Sequence, residues 1–597
     1  MNQHPEYLLN KIKSPADLKV LDLEEMKQLA SEIRHLIIEK DAAVGGHLGP
    51  DLGIVELTIA YHYVFDAPGD KIIWDVSHQT YPHKMLTGRA YAWLDPEAYG
   101  KVTPYTNPDE SPYDYYAVGH TSTSISLATG MAKARDLLGG SERIMAVIGD
   151  GSLTGGMAYE GLNNAALEKG NLVIVINDNQ WSIDQNVGGL TTALKKLRDS
   201  QGQDPENPFK AFGFDYRYVA DGNDLESMIN AFSEIRDVDH PLVLHVNTLK
   251  GKGYQPAIED EEKHHWVRPF NLSDDSPKNI TAGPTPAEIA VKTVASAIDG
   301  GQENIMAITA AIPGVFGLDS FKESYPDHYV DVGIAEQDSV AFAAGFAKAG
   351  GQPVLFENST FLQRAFDQLS HDVAANNLPV VMIVAGGGIQ ANSKTHVGVF
   401  DQVMVSNLPN WKYLAPTSLT EEAAMINWAL KQKDGPVAIK LPVRQVPAGG
   451  AVLEGYRHIH YQKRRAGKKI AILALGDMQE LGSQVAEELN AALYNPLSAN
   501  ILDTDCLDHL ARHYQAVITL ENNILDGGFG QKVAGYLADR PVLVKAFGEK
   551  REYTDVDQSY DQILVRNQLT AEQIVASVKQ LFNDFVNGRQ ARKSTYF

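Results

Sequence analysis

The sequence of 597 residues contains a single cysteine, Cys506. One cysteine excludes an intrachain disulfide and every CxxC metal or redox motif, and a reducing cytoplasm is the expected compartment. The sequence also lacks a run of about 18 apolar residues that could span a bilayer, and its N-terminal stretch has no apolar segment long enough for a signal peptide. We therefore expect a soluble, cytoplasmic protein without a membrane partner.

Basic residues are also fewer than acidic residues. Lys and Arg together number 52 against 75 Asp and Glu, which gives a formal net charge of -23. Such a charge repels nucleic acid and anionic membranes, although a local basic pocket for a small anion remains compatible with it. The hydrophobic share of 44% is ordinary for a globular protein. The expected ligands are small molecules.

Short runs rich in Val and Ile alternate with longer helical patterns along the chain. This alternation indicates parallel sheets with crossover helices, and the first helix is predicted at about 22–40. Polar segments that contain Gly and Pro, at 271–286 and 446–469, separate the runs into groups. The predicted fold is α/β, with mainly parallel sheets in three consecutive domains at 1–270, 284–446 and 467–597.

The stretch "VIGDGSLTGG" starts as an apolar strand and breaks into glycines around Asp150. Alone, it is compatible with a plain turn, a dinucleotide cradle or a metal site. A carboxylate between Gly149 and Gly151 would face a pyrophosphate badly unless a cation lay between them. The next apolar strand leads into Asn179, and ligands collect at the carboxyl ends of parallel strands. Asp150 and Asn179 therefore predict a site for Mg²⁺ and a diphosphate.

Further candidate residues lie in loops. Glu336 follows a strand through a glycine turn in "VDVGIAEQDSV", where by itself it is typical of a helix start. A single loop histidine is more often structural than catalytic, but several in two domains suggest a pocket that binds oxyanions and moves protons. No HExxH spacing supports zinc. The histidines in question are His47, His78, His83, His120, His265 and His396.

Taken together, these motifs resemble the thiamine diphosphate enzymes of the transketolase superfamily, most specifically the 1-deoxy-D-xylulose-5-phosphate synthase family. The similar stretches include "GGHLGPDLG", "GHTSTSISLATGMA", "GDGSLTGGMAYEGLNNA", "INDNQWSI", "DVGIAEQ" and "STFLQRAFDQLSHDVA". They span the first two predicted domains, and "ENNILDGGFG" extends the likeness into the third. The resemblance implies a transketolase-like fold, thiamine diphosphate and Mg²⁺ as cofactors, and a homodimer.

The resemblance also implies roles for individual residues. Asp150, Asn179 and a backbone carbonyl near Trp181 would bind the metal. Glu336 would contact the aminopyrimidine ring of the cofactor, and Phe361 would stack on that ring. The catalytic residues around the reacting carbon would be His47, His265, His396 and Arg364, together with Glu336. The remaining cofactor-binding positions would be His78, Gly119, His120, Ser122, Ser124, Gly149, Gly151, Ser152 and Lys252.

The implied reaction decarboxylates pyruvate and joins the two-carbon unit to an aldehyde, nominally glyceraldehyde 3-phosphate. Two alternatives stay open. One is a transketolase-like or synthase-like enzyme with a different donor or a non-phosphorylated acceptor. The other is a non-catalytic binding protein that kept the fold.

The first alternative is motivated by departures from the family where the phosphate of the acceptor should bind. Two arginines of the family fall at Ala385 and Val443, its aspartate becomes Asn392, and its tyrosine becomes Asn358. The loss of two guanidinium groups removes the bidentate fork that suits a phosphate, unless Lys394 or Arg444 compensates. The segment after Leu190 is also shorter than in the family.

Overall fold

Parallel strands form the framework of the chain, as the alternating apolar runs predict. The computed structural model describes residues 4–278, 283–390, 394–553 and 558–594. These described residues form three mainly parallel sheets, which confirms the α/β class. Contacts group the chain into a first unit, Met1–Ala282 with Val332–Ala335, and a second unit, Gly283–Asp331 with Glu336–Phe597. The domain boundaries themselves stay a prediction.

The sheet of the first unit has the strand order β1-β2-β3-β5-β4, with every pair parallel. Successive side chains of a strand enter different cores: Ile72 and Trp74 pack in one, and Ile73 packs in another. Both faces are therefore covered, as is usual for a parallel sheet. The strands are β1 Lys71–Trp74, β2 Ile144–Gly149, β3 Leu172–Asp178, β4 Asp215–Val219 and β5 Pro241–Asn247.

Helices connect and cover these strands. The first one spans Leu23–Val44, close to the predicted range. Asp22 caps it, because its Oδ1 accepts a hydrogen bond from Glu25 N at 2.9 Å, and the Glu25 carboxylate accepts one from Asp22 N at 3.0 Å. The other α-helices of this unit are Leu48–Gly53, Val55–Val64, Tyr81–Lys84, Tyr91–Leu94, Ser124–Leu138, Gly156–Ala165, Gly189–Asp199, Pro208–Phe212, Leu225–Ile235 and Gln255–Glu259.

The second unit contains a parallel sheet of order β10-β11-β9-β8-β6-β7. Its strands are β6 Ile305–Thr309, β7 Tyr329–Asp331, β8 Gln352–Asn358, β9 Val381–Ala385, β10 Lys412–Leu414 and β11 Val437–Lys440. The α-helices around it are Pro286–Asp299, Pro313–Phe316, Asp319–Ser324, Glu336–Lys348, Ser359–Leu362, Phe366–Gln368, Asp401–Ser406 and Leu419–Ala429.

The same unit contains a further sheet of order β12-β14-β13-β15-β16, in which only the β12–β14 pair is antiparallel among the described residues. Its strands are β12 Gln462–Arg465, β13 Ile470–Ala474, β14 Ala492–Asn495, β15 Ala516–Ile524 and β16 Leu543–Glu549. Its α-helices are Gln479–Glu488, Thr504–His513, Phe529–Leu537, Tyr560–Arg566 and Ala571–Ser594. Within the described part of the chain, no helix has both the length and the apolar character needed to cross a bilayer.

Candidate active site

Asp150 lies directly after β2 and is 3% exposed. Its Oδ2 atom accepts hydrogen bonds from Gln180 N at 2.6 Å and from Asn186 Nδ2 at 2.9 Å. Its Oδ1 atom is buried and receives no hydrogen bond from any described residue. A buried carboxylate oxygen without a donor is costly, and a bound cation would satisfy it. The chemistry of this position therefore fits a metal site.

The charges around Asp150 lead to the same conclusion. Burial raises the pKa of Asp150 well above its usual range, and the negative charge of Asp178 raises it further. Burial also acts to raise the pKa of Asp178, but contacts with His245 at 2.8 Å and Arg198 at 2.5 Å lower it overall. Since Asp178 is ionised beside it, Asp150 needs a positive charge to ionise, which a divalent cation would supply.

The segment after β3 folds against Asp150, so the structure brings together the predicted strand ends. Asn179 Oδ1 accepts a hydrogen bond from Trp181 N at 3.1 Å. Gln180, between them, has a left-handed backbone with φ of 73° and donates to Asp150. Asp150 and the turn that contains Asn179 and Trp181 therefore lie together at the carboxyl edge of the first sheet.

Close packing explains one of the glycines next to Asp150. A Cβ atom on Gly151 would lie 2.7 Å from Ser182 Cβ and 3.0 Å from Asn186 Oδ1, so a larger residue would displace the segment after β3. A Cβ atom on Gly149 would come no closer than 3.9 Å to its nearest neighbour, the Ser152 hydroxyl. Close contact with that segment therefore requires glycine at position 151 but not at position 149.

The loop that contains Gly119, His120, Ser122 and Ser124 is held by Asp75, which sequence reasoning missed. Asp75 is fully buried after β1, and its carboxylate accepts hydrogen bonds from Ser122 N at 2.7 Å and Ser124 N at 3.0 Å. The Ser122 hydroxyl donates to the carbonyl of Ser152 at 2.8 Å. Gly119 is buried and His120 is half-buried. The loop and the turn after Asp150 are thus fastened together.

Three of the predicted histidines form a cluster. The ring centroids are 5.0 Å apart for His47 and His78, 5.2 Å for His78 and His265, and 5.9 Å for His47 and His265. Burial lowers the pKa of His265 well below its usual range, and the nearby charge of Lys250 lowers it further. His265 Nδ1 is buried and has no hydrogen-bond partner among the described residues. His265 is therefore a neutral imidazole available for proton transfer.

His83 does not belong to this cluster. Its ring contacts His62 at 2.9 Å and Asp114 at 3.0 Å, and Arg89 binds the same aspartate through two hydrogen bonds of 2.6 and 2.9 Å. All these side chains are buried. The structure therefore corrects the interpretation of His83 as a pocket residue, because its nitrogens are used in a buried polar network.

The lysine close to the metal-site turn is Lys250 rather than the predicted Lys252. Lys250 is 1% exposed, and its Nζ donates to the carbonyl of Ser182 at 2.9 Å and lies 5.6 Å from the Trp181 ring centroid. Burial lowers the pKa of Lys250 to about 7. Lys252 Nζ instead donates to the carbonyl of Asn223 at 2.6 Å. In "KGKGY" either lysine fits the motif, so the sequence carried no signal to separate them.

In the second unit, Glu336 opens the helix Glu336–Lys348 and is 3% exposed. Its Oε2 lies 3.6 Å from Arg364 Nη1 and receives no hydrogen bond within the described part of the chain. Burial raises the pKa of Glu336, and the charge of Arg364 opposes that rise. Two of the predicted catalytic residues, Glu336 and Arg364, therefore lie next to each other in the structure.

A second buried glutamate, Glu357, lies near this pair and was missed by sequence reasoning. It is 3% exposed near the end of β8, and its Oε1 accepts a hydrogen bond from Asn358 N at 2.8 Å. Burial raises the pKa of Glu357 well above its usual range, and the charge of Glu336 raises it further. Both influences favour the protonated form of Glu357. Its position within the apolar run "QPVLFEN" was the available signal, since a charged residue there must be paired or neutral.

Phe361 and His396 also meet in the second unit. Their rings are edge-on, with centroids 6.0 Å apart and an interplanar angle of 85°. The Thr395 hydroxyl and His396 Nδ1 are 3.0 Å apart. Burial lowers the pKa of His396 to about 4, so the ring is neutral at physiological pH. The structure thus places an aromatic face next to a neutral imidazole.

Comparison with known proteins decides the family. The family model of 1-deoxy-D-xylulose-5-phosphate synthase matches residues 9–204, the transketolase pyrimidine binding domain matches 290–448, and the transketolase C-terminal domain matches 460–554. A 1-deoxy-D-xylulose-5-phosphate synthase from Acidobacterium capsulatum is 39% identical over 569 residues, which cover 88% of this chain and 90% of the relative. That from Syntrophotalea carbinolica is 38% identical, with 96% and 98% covered.

The chain belongs to the 1-deoxy-D-xylulose-5-phosphate synthase family. This membership confirms the recognition made from the sequence motifs and the predicted enzyme class, a transferase of the transketolase superfamily. Among solved structures, transketolase from Leishmania mexicana aligns with a TM-score of 0.44 and 16% identity, covering 94% of this chain and 98% of that one. So distant a likeness adds nothing to the assignment, which rests on the synthase sequences.

Two of the positions predicted to depart from the synthase family at the phosphate of the acceptor, Asn358 and Ala385, lie close together. Asn358 and Ala385 are neighbours on adjacent strands, and Ala385 is 9% exposed. Asn358 Oδ1 accepts a hydrogen bond from Thr360 N at 3.2 Å as a helix cap. Asn392 lies outside the described residues. A small apolar side chain and a capping amide thus occupy this strand end.

The other predicted phosphate position of this synthase-family chain is Val443. Its backbone N donates to Asp477 Oδ2 at 3.1 Å. The guanidinium of the adjacent Arg444 lies 5.5 Å from the Tyr560 ring centroid, at the distance of a cation–π contact. Arg444 therefore already has a packing role, which weakens the idea that it replaces the missing arginine.

Proposed function

We propose that the chain decarboxylates pyruvate and joins the two-carbon unit to an aldehyde, nominally glyceraldehyde 3-phosphate to give 1-deoxy-D-xylulose 5-phosphate, with thiamine diphosphate and Mg²⁺ as cofactors. The observation that carries this proposal is a pair of buried carboxylates, Asp150 and Glu336. Each keeps one buried oxygen that receives no hydrogen bond from the described residues. The Asp150 oxygen would bind a metal ion, and the Glu336 oxygen would accept a proton from the cofactor.

The first unit supplies the metal and diphosphate end. Asp150, Asn179 and the carbonyl of Trp181 would hold Mg²⁺, which prefers oxygen ligands and keeps some of its sites for phosphate oxygens. Burial lowers the pKa of Lys250, beside Trp181, to about 7, and the negative charge of a bound diphosphate would favour its protonated form. When bound, thiamine diphosphate would supply a nucleophilic ring carbon that adds to a ketone and a cationic ring that accepts the electron pair released with carbon dioxide.

The second unit supplies the proton-sharing end. Glu336 Oε2 would share a proton with a ring nitrogen of the aminopyrimidine, and Phe361 would pack on the face of that ring. Arg364, 3.6 Å from Glu336, favours the ionised carboxylate that can accept this proton. Burial and the charge of Glu336 favour the protonated form of Glu357, so that two negative charges would not compete in the same buried region.

The histidine cluster would handle protons at the substrate. His265 is neutral, so one ring nitrogen can donate a hydrogen bond to an oxygen that gains negative charge, and the other can accept a proton. His47 and His78 lie within 6 Å of it, measured between ring centroids, and would orient the same oxygen.

The proposal also covers the finer expectations from the sequence. The family resemblance supports a homodimer, and the single cysteine supports a cytoplasmic location. Light scattering coupled to size-exclusion chromatography would test the dimer.

The reaction itself is tested by incubating the purified chain with Mg²⁺, thiamine diphosphate, pyruvate and a panel of phosphorylated and non-phosphorylated aldehydes. Release of carbon dioxide and a new ketose, detected by NMR, is the expected result. If no carbon dioxide is released with any acceptor, the proposal is wrong and the non-catalytic alternative gains support, most of all if calorimetry also detects no cofactor binding.

A second candidate function is the same donor chemistry with a non-phosphorylated acceptor. It is favoured by Ala385 and Val443, where the family has arginines, and by the engagement of Arg444 with Tyr560. The ratio of kcat/KM for glyceraldehyde 3-phosphate to that for glyceraldehyde separates the two functions. A strong preference for the phosphorylated aldehyde excludes the second candidate, and a ratio near one excludes the nominal acceptor.

A further inference from the structure

Three side chains that the proposed reaction does not use meet where the N-terminal segment lies on the first helix. His4 Nε2 is 2.8 Å from Glu39 Oε2, and His35 Nε2 is 3.1 Å from Glu39 Oε1. One nitrogen of each histidine and one oxygen of the glutamate all lie within 4.8 Å of one another. In the part of the chain that the structure describes, no other group of three such side chains comes this close.

The local fold determines this arrangement. His35 and Glu39 are one turn apart on the helix Leu23–Val44, so they share a face. The N-terminal segment is fastened to the same helix, because Leu8 N and Leu9 N donate to the Glu32 carboxylate at 3.0 and 2.9 Å. This attachment brings His4 over the side chains of the helix.

Aromatic packing fixes the orientation of the His4 ring. It stacks on Tyr7 with centroids 4.5 Å apart, and Tyr7 in turn meets the His35 ring edge-on at 6.2 Å. The side chains of His4, Glu39 and His35 are 16%, 26% and 49% exposed. The group is therefore ordered by its neighbours and still reachable from solvent.

We propose that His4, His35 and Glu39 bind a divalent transition-metal ion, with Zn²⁺ as the best match. Two imidazole nitrogens and one carboxylate oxygen are a common zinc ligand set, and water would complete a tetrahedron. With zinc–ligand distances of about 2.0–2.1 Å, ligand atoms lie about 3.3 Å apart. The contacts of 2.8 and 3.1 Å join the two histidines to different oxygens of Glu39, and the three ligand atoms, which lie within 4.8 Å of one another, would draw together around the ion.

The chemistry of this site separates it from the one at Asp150. Imidazole nitrogen favours Zn²⁺ and its neighbours in the transition series, whereas Mg²⁺ prefers oxygen ligands. The Mg²⁺ that accompanies the proposed cofactor therefore does not fill the histidine site. A bound Zn²⁺ would fasten residue 4 to the first helix and so stabilise the N-terminal segment against local opening.

Other surface groups could also attract zinc and must be separated from the proposed site. His509 and His513 are one turn apart on the helix Thr504–His513, with stacked rings 4.1 Å apart, and form a two-ligand group. His371 and Asp367 form another pair one turn apart, 3.8 Å from each other and about three-quarters exposed. The first pair is removed by a background substitution, and the second provides a matched control.

The test is a zinc titration of the untagged, metal-free full-length chain that carries His513→Gln, against a chromophoric chelator and by calorimetry. We expect one binding event that His35→Gln weakens by more than the roughly 10- to 100-fold lost when a group that only orients a ligand is removed. Glu39→Gln should weaken it as well, and His371→Gln should leave it unchanged. The proposal is overturned if the parent binds no zinc, or if His35→Gln binds it as tightly as the parent does.

A second measurement guards against loss of structure in the variants. Zinc should raise the thermal midpoint of the parent and of His371→Gln but not that of His35→Gln, while all three keep the same circular dichroism spectrum without metal. An equal rise in His35→Gln would contradict the assignment. Neither experiment uses thiamine diphosphate or turnover, so the outcome is independent of the proposed reaction.

Discussion

Asp150 in the first unit and Glu336 in the second are both buried carboxylates whose pKa is raised by burial, but their neighbours differ. Asp150 accepts two hydrogen bonds on one oxygen and faces the negative charge of Asp178. Glu336 faces the positive charge of Arg364 instead. Two equally buried carboxylates therefore suit different chemistry. Asp150 needs a bound cation to ionise, whereas Glu336 already lies beside the guanidinium of Arg364 and can accept a proton.

The largest expected effect comes from removing the charge of Glu336. We expect Glu336→Gln to lower kcat by about 100- to 10,000-fold, the usual contribution of a proton-transfer group, while thiamine diphosphate still binds. Glu357→Gln is the matched control, because burial and the charge of Glu336 favour the neutral form of Glu357 and the amide has nearly the same shape. Steady-state kinetics and cofactor titration of both variants provide the measurement. Equal losses in the two variants would show that the pair acts through structure rather than through the charge of Glu336.

The second expected effect concerns the metal end. Asp150→Ala removes the carboxylate and its unsatisfied oxygen, so the affinity for Mg²⁺ and thiamine diphosphate together should fall by at least about 100-fold. Asn186→Ala removes only one donor to Asp150, 2.9 Å away, and should cost less. Isothermal calorimetry with cofactor and Mg²⁺ measures both. If Asp150→Ala binds the cofactor normally, the metal site lies elsewhere.

A smaller effect distinguishes the two lysines of "KGKGY". Lys250→Met should weaken cofactor binding about tenfold, because a charged hydrogen-bond donor beside Trp181 is lost. Lys252→Met should change it little, since Lys252 donates to the carbonyl of Asn223 instead. Fluorescence titration of the cofactor compares them. The reverse ranking would restore the assignment made from the sequence.

The positions of Asp150, Asn179 and Glu336 were predictable because each follows a strand through a short turn, and functional groups of α/β folds gather at strand ends. Asp75 and Glu357 were not recognised, although each also lies at or near a strand end. Their contribution depends on which backbone donors and charges meet them across the sheet, and such contacts have no signature in local sequence.

The histidines show the same limit. His83 and His78 lie in one loop segment of similar composition, yet one is in a buried network with Asp114 and the other is in the cluster with His47. The direction in which each ring points depends on the short helix Tyr81–Lys84, which the periodicity of the sequence did not reveal. Motifs therefore predicted which loops matter, and packing decided which side chains in them can act.

Glu422 is a third kind of buried carboxylate, with neither a cation nor a donor. It is fully buried in the helix Leu419–Ala429, and neither of its oxygens has a hydrogen-bond partner among the described residues. Burial raises the pKa of Glu422 from 4.5 to about 9. At a pH between 4.5 and about 9, Glu422 therefore carries a proton in the folded chain that it has released in the unfolded chain. The free energy of unfolding falls as the pH rises through this range, by up to about 1.4 kcal/mol per pH unit.

Glu422→Gln removes this dependence because the amide does not ionise. We expect the variant to unfold at higher urea than the parent at pH 8, with a difference that shrinks as the pH falls and vanishes below about pH 4, where the folded and unfolded parent bind similar numbers of protons. Substitution of the exposed Glu487 by Gln should leave the midpoint unchanged at every pH. If the advantage of Glu422→Gln does not grow with pH, Glu422 is ionised in the folded chain, and burial alone does not keep a carboxylate neutral in this protein.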